Sequence, residues 1–151
     1  MRNSSIYLPE IDLWCDARQP VPTCFVSHAH FDHLAKHQRI ITSEGTQRLM
    51  DLRLPGEREE IVLPYDKPYA FNAETELRLY PAGHILGSAM LHLKRAEDSF
   101  LYTGDFKMRS GLSAEPCQPP RADTVIMETT FGIPRYIFPP AEKVLADIVH
   151  F

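Results

Sequence analysis

No stretch of this 151-residue chain is apolar for long enough to cross a bilayer, and the opening Met1-Arg2-Asn3-Ser4-Ser5-Ile6 lacks the apolar core of a secretory signal. A cytoplasmic protein is therefore the expectation. Cysteine is sparse: Cys15, Cys24 and Cys117 are an odd number with no C-x-x-C spacing, which argues against a disulfide framework and against a cysteine zinc site. Each reads as a small buried or half-buried hydrophobe. No basic block stands out and the net charge is −4, which counts against a nucleic-acid binder working through a broad positive surface. It counts less against an enzyme that grips phosphates through bound cations. Internal repeats and low-complexity tracts are absent too. What is plentiful is proline: thirteen residues, clustered at Pro20–Pro22, Pro116–Pro120 and Pro134–Pro140, which read as connecting loops. At 44% hydrophobic residues, the chain can build the core of one globular domain.

Short β-like runs dominate. The pattern predicts strands at Asp12–Asp16, Thr23–Ser27, Arg39–Thr42, Glu60–Leu63, Thr75–Pro81, Ala89–Lys94, Ser99–Thr103 and Thr124–Met127. Residues 76–79 and 89–94 alternate as half-exposed strands do. A helix capped by Ser43, with Thr46 in its first turn, should run to about Met50, and a second begins at Ala141 after the double proline. The fold class is α+β, with strands ending in polar turns.

The densest chemistry lies at Ser27-His28-Ala29-His30-Phe31-Asp32-His33, directly after the apolar run Thr23–Val26. Three imidazoles and a carboxylate this close are poorly explained by packing, because buried histidines need partners and neighbouring imidazolium rings repel. A divalent cation answers both problems, since neutral imidazole and carboxylate are its preferred ligands. Three more strands end in a possible ligand or its support: Gly83-His84, Gly104-Asp105 and Cys15-Asp16. Glycine before a ligand lets the backbone turn sharply. Asp105 could bridge two cations through its two oxygens, and Asp16 could instead hold a ligand histidine through the N–H on its far side. Ser88 reads as a turn partner, since no base is placed beside it.

His28-x-His30-x-Asp32-His33, then Gly83-His84-x-x-Gly87-Ser88, then Thr103-Gly104-Asp105 resembles the ordered signature of the metallo-β-lactamase superfamily. Asp123-Thr124-Val125-Ile126-Met127-Glu128-Thr129-Thr130-Phe131-Gly132-Ile133-Pro134 is similar to the entry into its β-CASP nuclease branch. Together with Gly104-Asp105-Phe106-Lys107 it is most similar to the DNA-ligase-associated exonucleases, a group labelled mRNA 3′-end-processing-factor-like. The resemblance runs from Asp16 to Pro140. It implies αββα layers, of which this chain would hold the N-terminal part in residues 1–133, with 134–151 beginning the β-CASP-like insertion.

The resemblance also implies two divalent ions. His28, His30, His84 and Asp105 would hold one; Asp32, His33 and the same Asp105 would hold the other. Asp16 would orient a ligand, and Glu128 would partner a downstream histidine near the leaving group. The nucleophile would be a hydroxide bridging the metals, so Asp32, Asp105 and Glu128 stand as the catalytic carboxylates. Imidazole with carboxylate suits zinc, and manganese and iron accept the same set. After Asp105 only His150 remains, matching neither histidine the family supplies later, so the second ion site and the proton donor are expected to be incomplete in what reads as a fragment. The expected activity is phosphodiester hydrolysis in DNA or RNA, exonucleolytic, in nucleic-acid processing or repair, with a functional link to a DNA ligase or helicase and no membrane partner. The alternatives are a thioester or lactam hydrolase and a non-catalytic metal-binding half-domain. A half-domain would leave exposed strand edges and should self-associate.

Overall fold

The computed structural model describes residues 5–151. In chain order it forms β1 (Ile6–Leu8), β2 (Leu13–Cys15), β3 (Thr23–Phe25), β4 (Arg39–Thr42), α1 (Glu44–Arg53), β5 (Glu59–Val62), β6 (Tyr69–Ala70), β7 (Thr75–Pro81), β8 (Ala89–Arg95), β9 (Asp98–Tyr102), β10 (Thr124–Ile126) and α2 (Ala141–His150). Single 3₁₀ turns occupy Pro9–Ile11 and Phe31–His33.

The strands make two five-stranded sheets, ordered β1-β2-β3-β4-β5 and β10-β9-β8-β7-β6. In the first, β2 through β5 run parallel and β1 is antiparallel at the edge. In the second, β6 through β9 are antiparallel and β10 adds parallel to β9. The faces turned toward each other form the main core. Leu13, Cys15, Phe25 and Ile41 come from one sheet, and Leu77, Leu79, Leu91 and Tyr102 from the other. In β7 the register is strict: Thr75, Leu77, Leu79 and Pro81 are buried and the residues between them are half-buried.

The outer face of the first sheet is covered by α1, whose Met50 packs with Cys24, Val26, Ala29 and Ile40. The outer face of the second carries Ala82, Met90 and Leu101 under Phe106, Cys117 and Ala122. The layering is thus helix, sheet, sheet, then an irregular segment, so the α+β class and the first three expected layers are present. Two details differ from the sequence reading. Ala89, Met90 and Leu91 are all buried, because Leu91 faces the inter-sheet core while Met90 lies under the 106–122 segment. β1 and β6 were not anticipated, and at three and two residues each exists only by pairing with β2 and β7. Ser43 caps α1 as expected, accepting the Thr46 N–H at 3.2 Å. No helix among the described residues is long and apolar enough to cross a membrane.

Candidate metal centre

The chemistry-bearing residues all follow the C-terminal ends of strands. Asp16 follows β2, His28 lies just beyond β3, His84 beyond β7 and Asp105 beyond β9. Since β7 and β9 both run antiparallel to β8, their ligand-bearing turns emerge at one end of the sandwich. Gly104 makes its turn possible: its φ is +53°, and a Cβ there would lie 2.6 Å from the Ser27 side chain.

His30 Nδ1 lies 3.0 Å from His28 Nε2 and 3.2 Å from His84 Nε2. Asp105 Oδ2 stands 3.7 Å from His84 Nε2 and 3.9 Å from His28 Nε2. The three rings are close to mutually perpendicular, at 81°, 85° and 87°. Four donors arranged tetrahedrally at the zinc–ligand distance are separated by roughly 3.3 Å, so this spacing fits a divalent cation. Hydrogen bonding among the rings alone does not account for it, because one nitrogen of His30 faces two others.

The tautomer of His28 follows from its neighbours. Ser27 Oγ donates to Asp16 Oδ2 at 2.6 Å and sits 2.9 Å from His28 Nδ1. With the Ser27 proton committed to Asp16, His28 Nδ1 carries the hydrogen, and the Nε2 lone pair points into the cluster. Burial, followed by the nearby His33, pushes the His28 pKa down to about 3, so the ring is neutral.

A second set lies alongside. His33 Nε2 is 3.7 Å from Asp32 Oδ2 and 3.7 Å from Asp105 Oδ1. The two oxygens of Asp105 therefore face different sets, Oδ2 the three histidines and Oδ1 the His33–Asp32 pair. On its far side, His33 Nδ1 is 3.0 Å from Asp16 Oδ2. Burial opposes a charge on His33, but Asp16, Asp105 and Asp32 together raise its pKa, and the same carboxylates favour any cation at that point.

Asp16 is buried and both of its oxygens accept hydrogen bonds. Ser27 N donates to Oδ1 at 2.8 Å, while the Ser27 and Tyr102 hydroxyls donate to Oδ2 at 2.6 and 2.9 Å. Although burial works against it, these bonds and His33 hold its pKa below the ordinary range. These contacts place Asp16 against His33 and Ser27, and its carboxylate also groups with His28 and His33 closely enough to face a cation.

An open cleft of about 450 Å³ leads to the second set, walled by Arg18, Asp32, His33, Asp105, Glu128 and Thr130 among others. Glu128 reaches this wall, accepting the Thr130 N–H at 3.1 Å. Burial opposes its charge, but that bond, a second from Phe106 N–H and the nearby His84 lower its pKa. Ser88 is a turn partner: its Oγ accepts the N–H groups of His84 and Ile85 at 3.0 and 3.2 Å. Sequence reasoning missed Ser27, Tyr102 and Arg18. Only Ser27 carried a signal, as a hydroxyl between a strand and a histidine motif.

No protein-family model matches the chain. It is 52% identical over 147 residues to a protein of Opitutus terrae named probable DNA ligase, covering 97% of this chain and 14% of that one. It is 33% identical over 134 residues to the DNA cross-link repair protein SNM1 of Arabidopsis thaliana, covering 83% of this chain and 28% of that one. It thus spans about a seventh and just over a quarter of those relatives. Among solved structures, the metallo-β-lactamase fold protein YhfI from Bacillus subtilis aligns with a TM-score of 0.48 and 15% identity, over 62% of this chain and 49% of that one. With the ordered histidine, Gly-His and Gly-Asp motifs gathered at one end of two sheets, the chain belongs to the metallo-β-lactamase superfamily, in its β-CASP branch.

Proposed function

We propose that this chain carries the metal centre of a nuclease that hydrolyses phosphodiester bonds in DNA or RNA. The observation that carries the reading is the division of Asp105, with one oxygen toward His28, His30 and His84 and the other toward His33 and Asp32. Two neighbouring cations sharing a carboxylate are the arrangement suited to phosphoester cleavage. His28, His30, His84 and Asp105 would hold one ion; Asp32, His33 and Asp105 would hold the other, zinc first and manganese second. Ions bound there supply Lewis acidity toward a phosphoryl oxygen and make a water acidic near neutral pH.

The chain's own residues prepare that site. Ser27 keeps His28 in the tautomer whose lone pair faces inward. Asp16 fixes the His33 ring from behind. Glu128 places an ionised carboxylate on the cleft wall as an acceptor for the group that protonates the leaving oxygen. Exonucleolytic action and a link to DNA ligation are supported by the Thr130-Phe131-Gly132-Ile133-Pro134 similarity and by the relative named probable DNA ligase. A cytoplasmic place of action accords with three free thiols.

The test is metal content by mass spectrometry for the chain and for His30→Ala. It is paired with cleavage assays on end-labelled single-stranded DNA and RNA, and on a thioester and a lactam. The expected result is bound metal that His30→Ala loses, with chelator-sensitive shortening of the nucleic acid from one end. A chain without metal overturns the metal centre. Turnover of the thioester or lactam alone overturns the nuclease assignment, and metal with no turnover reduces the chain to a metal-holding module.

A further inference from the structure

We infer that α1 acts as a spacer that sets the distance between the two halves of the three-histidine set, with Thr46 and Ser43 at its start and Arg53 at its end as positioning residues. This rests on the metal-centre reading above. His28 and His30 sit on the segment leaving the first sheet, and His84 sits on the 83–88 turn of the second. Their separation must be held to tenths of an ångström if their nitrogens are to meet one ion.

The 83–88 turn is closed largely on itself, through Ser88 Oγ and the Ser88 N–H bond to Ile85 O at 2.9 Å. It joins the first half of the fold at three points: the Ala89 N–H donates to Ser27 O at 2.8 Å, the Tyr65 hydroxyl donates to Ser88 O at 3.2 Å, and Gly87 meets α1. The hydroxyls of Ser43 and Thr46 both donate to the Gly87 carbonyl, Thr46 at 2.8 Å, so both of its lone pairs are spent on α1. Both side chains are buried. The backbones touch as well: a Cβ on Gly45 would lie 2.7 Å from Gly87 Cα, a spacing that only glycine at both positions allows.

At the other end of the same ten-residue helix, Arg53 Nη1 donates to the carbonyl of Ala29 at 2.8 Å. Ala29 lies between His28 and His30. One rigid element therefore grips the His84 turn with its first turn and the His28–His30 segment with its last residue. Met50, packed on Cys24, Val26 and Ala29, fixes the helix to the sheet between those grips. Nothing else on α1 needs two buried hydroxyls aimed at one carbonyl, since capping requires only the lone pair that Ser43 already offers to Thr46 N–H.

The experiment titrates cobalt(II) into the full chain and into Thr46→Val, Thr46→Ser, Arg53→Met and Arg48→Ala, following both affinity and the visible absorption that reports coordination geometry. Thr46→Val and Arg53→Met should each weaken binding about tenfold or more and lower the tetrahedral band, as losing a ligand's outer support does elsewhere. Thr46→Ser restores the hydroxyl and should restore both readouts. Arg48→Ala should change neither, because Arg48 lies on the same helix but, among the described residues, pairs with Glu44 alone. Leu77→Val, a core change in the cluster between the two sheets and away from α1, controls for general loss of stability, and far-UV circular dichroism confirms that each variant is folded. Should Thr46→Val fail to fold, Arg53→Met at the exposed end decides the matter alone. Unchanged cobalt affinity and spectrum in the folded variants would overturn the spacer role, as would an equal loss in Leu77→Val. A wild-type chain that binds no cobalt would instead overturn the metal-centre reading.

Discussion

In the proposed centre, Ser27 supports the ligands without facing an ion itself. Its N–H and O–H both go to Asp16, and its oxygen meets His28 Nδ1. Asp16→Asn removes the carboxylate that faces His33 Nδ1 and two hydroxyls at once. The second ion's affinity should fall 10–100-fold by isothermal titration, with the three-histidine set less affected. Gly104→Ala forces a side chain into Ser27 at a positive φ. It should cost roughly 1–3 kcal/mol in chemical denaturation, more than an ordinary surface change. The clustering of the histidines was readable in the sequence because their two-residue spacing and company are hard to reconcile with packing. Tyr102 was not, since a tyrosine alternating within an apolar strand looks like core until its hydroxyl is seen 2.9 Å from Asp16.

Among the elements, those with their own internal pattern were legible and those made by pairing were not. Residues 75–81 alternate and 40–42 are β-branched, and the strands Thr75–Pro81 and Arg39–Thr42 have the bounds read from sequence. Tyr69–Ala70 has no pattern of its own and is a strand only because Leu77 and Glu76 lie beside it. Helix α1 was legible through Ser43, but its contacts were not, because nothing local reveals that Gly87 lies over its first turn. Its hold on the sheet rests mainly on Met50, which is fully buried. Met50→Ala should cost about 2–5 kcal/mol by denaturant unfolding. A cost below 1 kcal/mol would mean that the helix is held by its ends alone.

For the molecule as a whole, the two sheets bring candidate ligands from distant parts of the sequence to one place, His28 and Asp105 within 3.9 Å across 76 intervening positions. A cation held there binds the folded chain and not the unfolded one, so it stabilises by mass action, about 4 kcal/mol at a thousandfold excess over its dissociation constant. For a chain of this size, chelation should lower the melting temperature by roughly 8–16 °C, and added metal should restore it. An unchanged melting curve would mean that no ion is held in the folded state. The opposite end of the sandwich has a different life. The hairpin tips at Asn72–Glu74 and Ala96–Glu97 lie at the far ends of β7, β8 and β9 and are exposed. Chemistry gathered at one pole leaves the other free to drift: differences in length between relatives should accumulate at these tips, and a tag or fluorophore fitted there would report on the protein without disturbing what it does.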